Sequence, residues 1–101
     1  MPAEGGEIAA RLDLLERARE LAPILRHRSR ATEAARRISE ETISDLIAKG
    51  LPRVCQPTRF GGFEQPWDVL CEIGMELGKG CSAQAWVANA YAECNCRLAQ
   101  F

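Results

Sequence analysis

One histidine, His27, and five cysteines, Cys55, Cys71, Cys81, Cys94 and Cys96, are the residues best suited to nucleophilic or metal chemistry in this sequence. A hydrolytic triad needs a nucleophile beside a base, and His27 falls among arginines on a face that reads as exposed, far from every cysteine. Triad chemistry is set aside. A structural zinc site needs recurring ligand spacings such as a CxxC pair, which the chain lacks, so no metal is expected. Cys94 and Cys96 are two apart, which on a helix turns their side chains about 200° from each other and keeps them from sharing a metal or a disulfide. Buried, reduced thiols are the expectation.

The carboxylate pairs Glu40 with Glu41 and Glu72 with Glu76 read as helix-start charge and a solvated face. Trp67 and Trp86 fit core positions better than a cofactor site. Gly61-Gly62 has no following Lys-Ser/Thr and no preceding strand, which favours a plain turn over a phosphate cradle. Arg26, Arg28, Arg30, Arg36 and Arg37 form the one basic cluster, with Glu33 between them. Without interleaved aromatics it reads as a solvated helix face, Glu33 and Arg37 making a supporting pair, and nucleic acid is not an expected partner.

The elements that must position these residues are helical. After a flexible start over residues 1–6, the segment from Glu7 carries Ile8, Leu12, Leu15, Ala18, Leu21, Ala22 and Leu25 at steps of one, three and four, the pattern of an amphipathic helix. Pro23 predicts a kink near Leu21 without requiring a break. Ser39 followed by Glu40 and Glu41 starts a short helix with Ile43, Leu46 and Ile47 as its buried stripe, stopped at Gly50. Two prolines and a double glycine then impose a loop to Phe63, docked through Val54, Phe60 and Phe63. A third helix starts near Gln65-Pro66 and buries Leu70, Ile73 and Leu77, while Gly74 and Gly78 predict close helix packing. The last, begun by Ser82 as cap, spreads Trp86, Val87, Tyr91, Cys94, Leu98 and Phe101 around most of its circumference and wants neighbours on several sides. The fold class is all-α with four main helices in one domain, 7–101.

Composition narrows the classes further. Thirteen Lys and Arg against fourteen Asp and Glu leave a net charge of -1, so no global field points to nucleic acid or anionic lipid. A hydrophobic share of 47% argues against disorder. The first residues lack a signal peptide's regions and no apolar run reaches the ~18 residues of a membrane span, so a cytoplasmic protein without a membrane partner is expected.

The order of features is also recognisable. Arg17-Ala-Arg-Glu-Leu-Ala-Pro-Ile-Leu-Arg26, then Ile38-Ser-Glu-Glu-Thr42, Leu46-Ile-Ala-Lys-Gly-Leu51 and Gln56-Pro-Thr-Arg-Phe-Gly-Gly62, together resemble the N-terminal helical domain of the acyl-CoA dehydrogenase superfamily. Glu72 to Val87 and Leu98-Ala-Gln-Phe101 resemble its flavin-dependent monooxygenase branch, which hydroxylates phenols and related aromatics with reduced flavin and oxygen. The resemblance covers nearly the whole chain beyond Gly6. It implies a longer enzyme, with a β domain and a C-terminal helical bundle following this domain, assembled as a tetramer and served by a flavin reductase.

It also implies that FMN or FAD is held mainly by those later domains and a neighbouring subunit. No tight cofactor binding and no turnover are then expected of this chain alone, and no residue in it can be named catalytic. Relatives tend to read His-x-Trp where this chain reads Cys94-Asn95-Cys96, which replaces both rings by thiols. By helical spacing Val87, Tyr91 and Cys94 share a face, with Asn95 beside it, and these four are the candidate wall of a substrate pocket. Exposed hydrophobic surface is expected along Tyr91 to Phe101. Two alternatives stand beside this reading. One is the N-terminal part of an acyl-CoA dehydrogenase acting with FAD on an acyl-CoA. The other is a stand-alone helical interaction module, its form as a nucleic-acid-binding helix-turn-helix over Ile38 to Phe60 being opposed by two prolines and only Arg53 and Arg59 in the recognition segment.

Overall fold

The structure is a computed structural model that describes residues 2–98, with side chains from residue 8 onward. It contains α1 (Pro2–Ala35), α2 (Glu40–Ala48), α3 (Trp67–Gly78) and α4 (Ser82–Leu98), with two 3-10 turns, Leu51–Arg53 and Thr58–Phe60, between α2 and α3. No strand occurs among the described residues. The expected four-helix, all-α class is what the chain adopts.

The first helix is longer than expected, starting at Pro2 and not at Glu7. A proline at the first helical position has its φ preset and lacks only an amide that would be unpaired anyway, which favours this early start. At 1.5 Å per residue the helix is roughly 50 Å long, and it sets the molecule's longest extent of 48 Å. It continues through Pro23 without a break. Leu14, Leu15, Ala18, Leu21 and Leu25 enter the core, whereas Ile8 and Leu12, expected on the buried stripe, are exposed. α3, the main partner of α1, has only 12 residues. The longer helix therefore overhangs its cover.

Arg36 adopts a left-handed backbone, φ 58°, which ends α1 and carries Arg37 off the helical face of Glu33. The expected Glu33–Arg37 pair four apart is thus a correction. Arg28 also leaves the supposed solvated face. Its Nη1 donates to Asp45 Oδ2 at 2.7 Å and to Thr42 Oγ1 at 3.2 Å, tying α1 to α2. The second helix begins as its residues dictate: Ser39 Oγ accepts from the Thr42 amide at 3.1 Å, and Gly50 leaves the helix at φ 74°. Leu46 is buried, but Ile43 is half-buried and Ile47 exposed, so the predicted stripe is only partly covered.

In the loop, Val54 is fully buried and Phe63 packs on the core, flanked by the guanidinium carbons of Arg17 and Arg53 at 5.4 and 5.7 Å from its ring centroid. Phe60 was the third expected anchor and is 55% exposed instead, with Arg59 over its ring. Gly61 has φ 85°, so the double glycine makes the turn expected of it.

α3 buries Val69, Leu70, Ile73 and Leu77 between α1 and α4. A Cβ built at Gly74 would come within 2.3 Å of Asn89 Nδ2, whereas one at Gly78 meets nothing within 4 Å. The expected close packing holds at Gly74 and not at Gly78. On α4 the buried residues are Gln84, Ala85, Ala88 and Ala92, while Trp86 is 74% exposed. At so close an approach to α3 only small side chains fit, so the bulky ones turn outward and α4 is two-faced. Trp86 and the exposed Trp67 correct the expectation of core tryptophans.

The cysteines also depart from expectation. Cys55 is buried, Cys71 and Cys94 are exposed, and Cys81 and Cys96 lie between. The outward faces of α3 and α4 carry the two exposed thiols. Burial pushes the Cys55 thiol up from 9.0 to about 11, with repulsion from ionised Cys96, Cys71 and Asp68 adding to the effect. Its thiolate fraction at pH 8 is therefore about a hundredfold below that of an ordinary thiol. With iodoacetamide at pH 8, mass spectrometry should find Cys71 and Cys94 alkylated and Cys55 unmodified. Because the folded pKa is the raised one, the stability Cys55 contributes is complete below about pH 9 and declines as pH rises towards 11.

Candidate functional site

Gly50 stops α2 in the left-handed region, and Pro52 follows in the first 3-10 turn, whose backbone lies against α4. That reversal leaves a gap between the two helices. The result is a groove of about 280 Å³ lined by Ile43, Leu46, Ile47, Pro52, Tyr91 and Asn95. Tyr91 is 45% exposed and Ile47 60%, so the groove opens to solvent along its rim. Asn95 Nδ2 donates to the Pro52 carbonyl at 2.9 Å, which holds α4 against the turn and fixes the orientation of its amide. Its amide oxygen and the Tyr91 hydroxyl have no hydrogen-bond partner among the described residues.

The four residues expected to share a pocket are therefore divided. Tyr91 and Asn95 meet in this groove. Val87, one turn earlier, lines a separate hollow with Arg36, Arg37 and the first residues of α4. Cys94 is exposed and lines neither. Ile43 and Ile47, read from the sequence as a buried stripe, and Pro52 form the opposite wall and were not among the expected pocket residues. The available signal was the half-covered stripe of α2 followed by a glycine stop and a proline.

A buried polar relay holds α2 and α4 in this relation. Gln84 is fully buried; its Nε2 donates to the Leu25 carbonyl at 2.8 Å and its Oε1 accepts from Thr42 Oγ1 at 2.9 Å. Ser39 Oγ donates in turn to Thr42 Oγ1 at 3.1 Å. Three helices are thereby joined through one amide.

Chemically the groove can hold a small ring on aliphatic walls and offer a phenol-like hydroxyl and an amide oxygen. Its lining has no carboxylate, imidazole, amine or thiol, and the Tyr91 hydroxyl is the one lining group that could exchange a proton. Among the described residues no group of three or more His, Cys, Asp or Glu could hold a metal ion, and no helix is long and apolar enough to cross a membrane.

Several known proteins resemble the chain. It is 33% identical over 81 residues to a pigment production hydroxylase of a Rhodococcus species, a match covering 80% of this chain and 21% of that protein. It is 32% identical over 88 residues to the oxygenase component of an FADH(2)-dependent resorcinol hydroxylase of a Rhizobium species, covering 87% and 22%. It is 29% identical over 87 residues to the oxygenase subunit of a flavin-dependent monooxygenase of Rhodococcus jostii, covering 86% and 23%. The chain thus spans about a fifth of the length of these relatives. No protein-family model matches it, and no solved structure matches it significantly. The resemblance to the flavin-dependent monooxygenase branch read from the sequence is borne out, since two of these relatives are named as the oxygenase subunit of a flavin-dependent monooxygenase and the oxygenase component of an FADH(2)-dependent hydroxylase.

Proposed function

We propose that the chain forms part of the oxygenase component of a flavin-dependent aromatic hydroxylase and supplies a wall of its substrate pocket at the groove between α2 and α4. The observation that carries this reading is similarity over 87% of the chain to a protein named as the oxygenase component of an FADH(2)-dependent resorcinol hydroxylase. The groove's volume suits a single aromatic ring, and we assign the cofactor to other parts of the assembly. Reduced FMN or FAD, when bound there, supplies with oxygen the hydroxylating chemistry. This chain's residues position the substrate: Ile43, Ile47 and Pro52 exclude water from one face of the ring, and Tyr91 and Asn95 offer hydrogen bonds at its edge. Val87 and Cys94 border the wall without entering it.

Two of the relatives are named as a component or subunit of a larger system, which supports a flavin reductase as partner. A β domain, a C-terminal helical bundle and a homo-oligomer complete the proposed assembly, and we assign it to the cytoplasm.

The test has two parts. In ligand-observed NMR, resorcinol should give saturation transfer from the chain, and Tyr91→Ala should reduce the signal about threefold or more, as expected for loss of roughly 1 kcal/mol of ring contact and hydrogen bonding. The product of the complete gene, given reduced flavin and oxygen, should hydroxylate a phenol. Oxidation of an acyl-CoA by that product would overturn the reading.

A further inference from the structure

Asn95 Nδ2 donates to the Pro52 carbonyl at 2.9 Å. A carbonyl only accepts, so the end of the amide that faces it is the nitrogen, and what Asn95 has left to offer is its oxygen. That oxygen has no hydrogen-bond partner among the described residues, and it is in reach of solvent. It is an acceptor held in a fixed direction, and what it lacks is a donor.

We propose that Asn95 sets the substrate class of the groove between α2 and α4: its oxygen takes a hydrogen bond from the hydroxyl of an uncharged phenol, which ranks a free phenol above its methyl ether and above an aryl carboxylate. The inference rests on the groove being the wall of the aromatic-substrate pocket. A phenol O–H donates to an amide oxygen. A methyl ether and an ionised carboxylate offer lone pairs only, and either one set against Asn95 leaves its oxygen without a donor. A site built around a hydrogen bond rejects the analogue that lacks it. Because the rim is open, with Tyr91 and Ile47 exposed, water still competes for the oxygen, and the discrimination is that of one ordinary hydrogen bond.

Charge acts in the same direction. Ile43, Leu46, Ile47 and Pro52 are apolar, and the lining includes no cation. The cations on the bordering elements are engaged elsewhere: Lys49 with Glu20, Arg53 with the Gly61 carbonyl and the Phe63 ring, and Arg97 with Glu93. An aryl carboxylate would lose hydration on aliphatic walls without gaining a counter-ion.

Tyr91 has a different part. Its hydroxyl both donates and accepts, so it serves a phenol oxygen and an ether oxygen alike. Tyr91 contributes affinity, and Asn95 contributes the choice.

NMR titration of the isotope-labelled chain at neutral pH with resorcinol, resorcinol dimethyl ether and benzoate tests this. Resorcinol should bind about fivefold or more tighter than the ether, with benzoate the weakest of the three. The side-chain amide resonances of Asn95 should shift with resorcinol and stay in place with the ether, because accepting a bond at the oxygen polarises the N–H that Pro52 holds. In Asn95→Leu, which keeps the bulk of the side chain, the preference for resorcinol over the ether should fall to about twofold or less. In Tyr91→Phe both ligands should weaken together and the preference persist. If Asn95→Leu does not fold, the Asn95 side-chain shift in the unaltered chain decides. Equal affinity for resorcinol and the ether in the unaltered chain, or a preference that survives Asn95→Leu and so reflects the size of the methyl groups, would overturn the role of Asn95 while leaving the groove as the aromatic site. Failure of all three ligands to bind would overturn both.

Discussion

Gln84→Ala should destabilise the fold by ~3 kcal/mol, lowering the thermal midpoint by on the order of 10–20 °C for a domain of this size. Two effects combine. The Thr42 hydroxyl, itself fully buried, loses its only acceptor outside α2, and the amide's removal opens a cavity between α1, α2 and α4. The backbone of α2 comes close chiefly to the turn at Leu51–Arg53, so its attachment to α1 and α4 runs through side chains: this relay, Leu46 in the core, and Arg28 with Asp45 and Glu41. Loss of the relay should therefore loosen α2 before the rest, visible as faster amide exchange over Glu40–Ala48. The control is the double replacement Thr42→Val with Gln84→Leu. Removing both partners leaves no unpaired hydroxyl in the core, since Ser39 is exposed to solvent and Arg28 keeps Asp45, and should cost clearly less than Gln84→Ala. If the double variant is the less stable of the two, the relay is not what holds α2.

Much of the fold was legible because local rules and the tertiary outcome agree. Ser39 caps α2 through the amide its position dictates, Gly50 takes the left-handed backbone that few other residues adopt, and Leu70, Ile73 and Leu77 bury as their spacing requires. The failures share one physical cause. Periodicity says which residues are apolar on a face, and not how near the neighbouring helix comes. On α4 the neighbour is close, so the alanines bury and Trp86 faces out; at the start of α1 there is little neighbour, so Ile8 and Leu12 stay exposed. Gln84 broke the apolar pattern of α4, and that was its signal. A lone amide in an alanine-rich stretch is tolerated in the core only where it finds partners, and those partners lie 42 and 59 residues away in sequence.

The candidate site was legible by half for the same reason. Helical spacing put Val87, Tyr91 and Cys94 on one face with Asn95 beside it, and of these the groove contains Tyr91 and Asn95. Val87 and Cys94 lie within one turn of Tyr91, but the facing wall is short. It consists of two isoleucines, a leucine and a proline around the glycine stop, and it ends before reaching either residue. Spacing along one helix fixes an angular sector. Only the opposite element decides how much of that sector becomes a pocket.

Gly80→Ala should be strongly disruptive for the addition of a single methyl, costing ~3 kcal/mol in urea unfolding. Its Cβ would lie 2.0 Å from the Ala22 carbonyl oxygen, 2.8 Å from the carbonyl carbon and 3.1 Å from the Cα, all backbone atoms with no rotamer to escape into. The turn cannot easily move away, because the amides of Gly80 and Cys81 both donate to the Leu77 carbonyl, at 3.0 and 3.1 Å. Relief must come from separating α1 from the α3–α4 turn next to Pro23, which spreads the core contacts of Leu21 and Leu25. Two residues earlier the expectation reverses. Gly78 has open space around its Cβ position and no positive φ, so Gly78→Ala should stabilise by up to about 1 kcal/mol through helix propensity alone. Opposite signs from the same substitution two positions apart would measure how closely the turn approaches α1. A neutral Gly80→Ala would show that α1 and the turn stand farther apart than this packing requires.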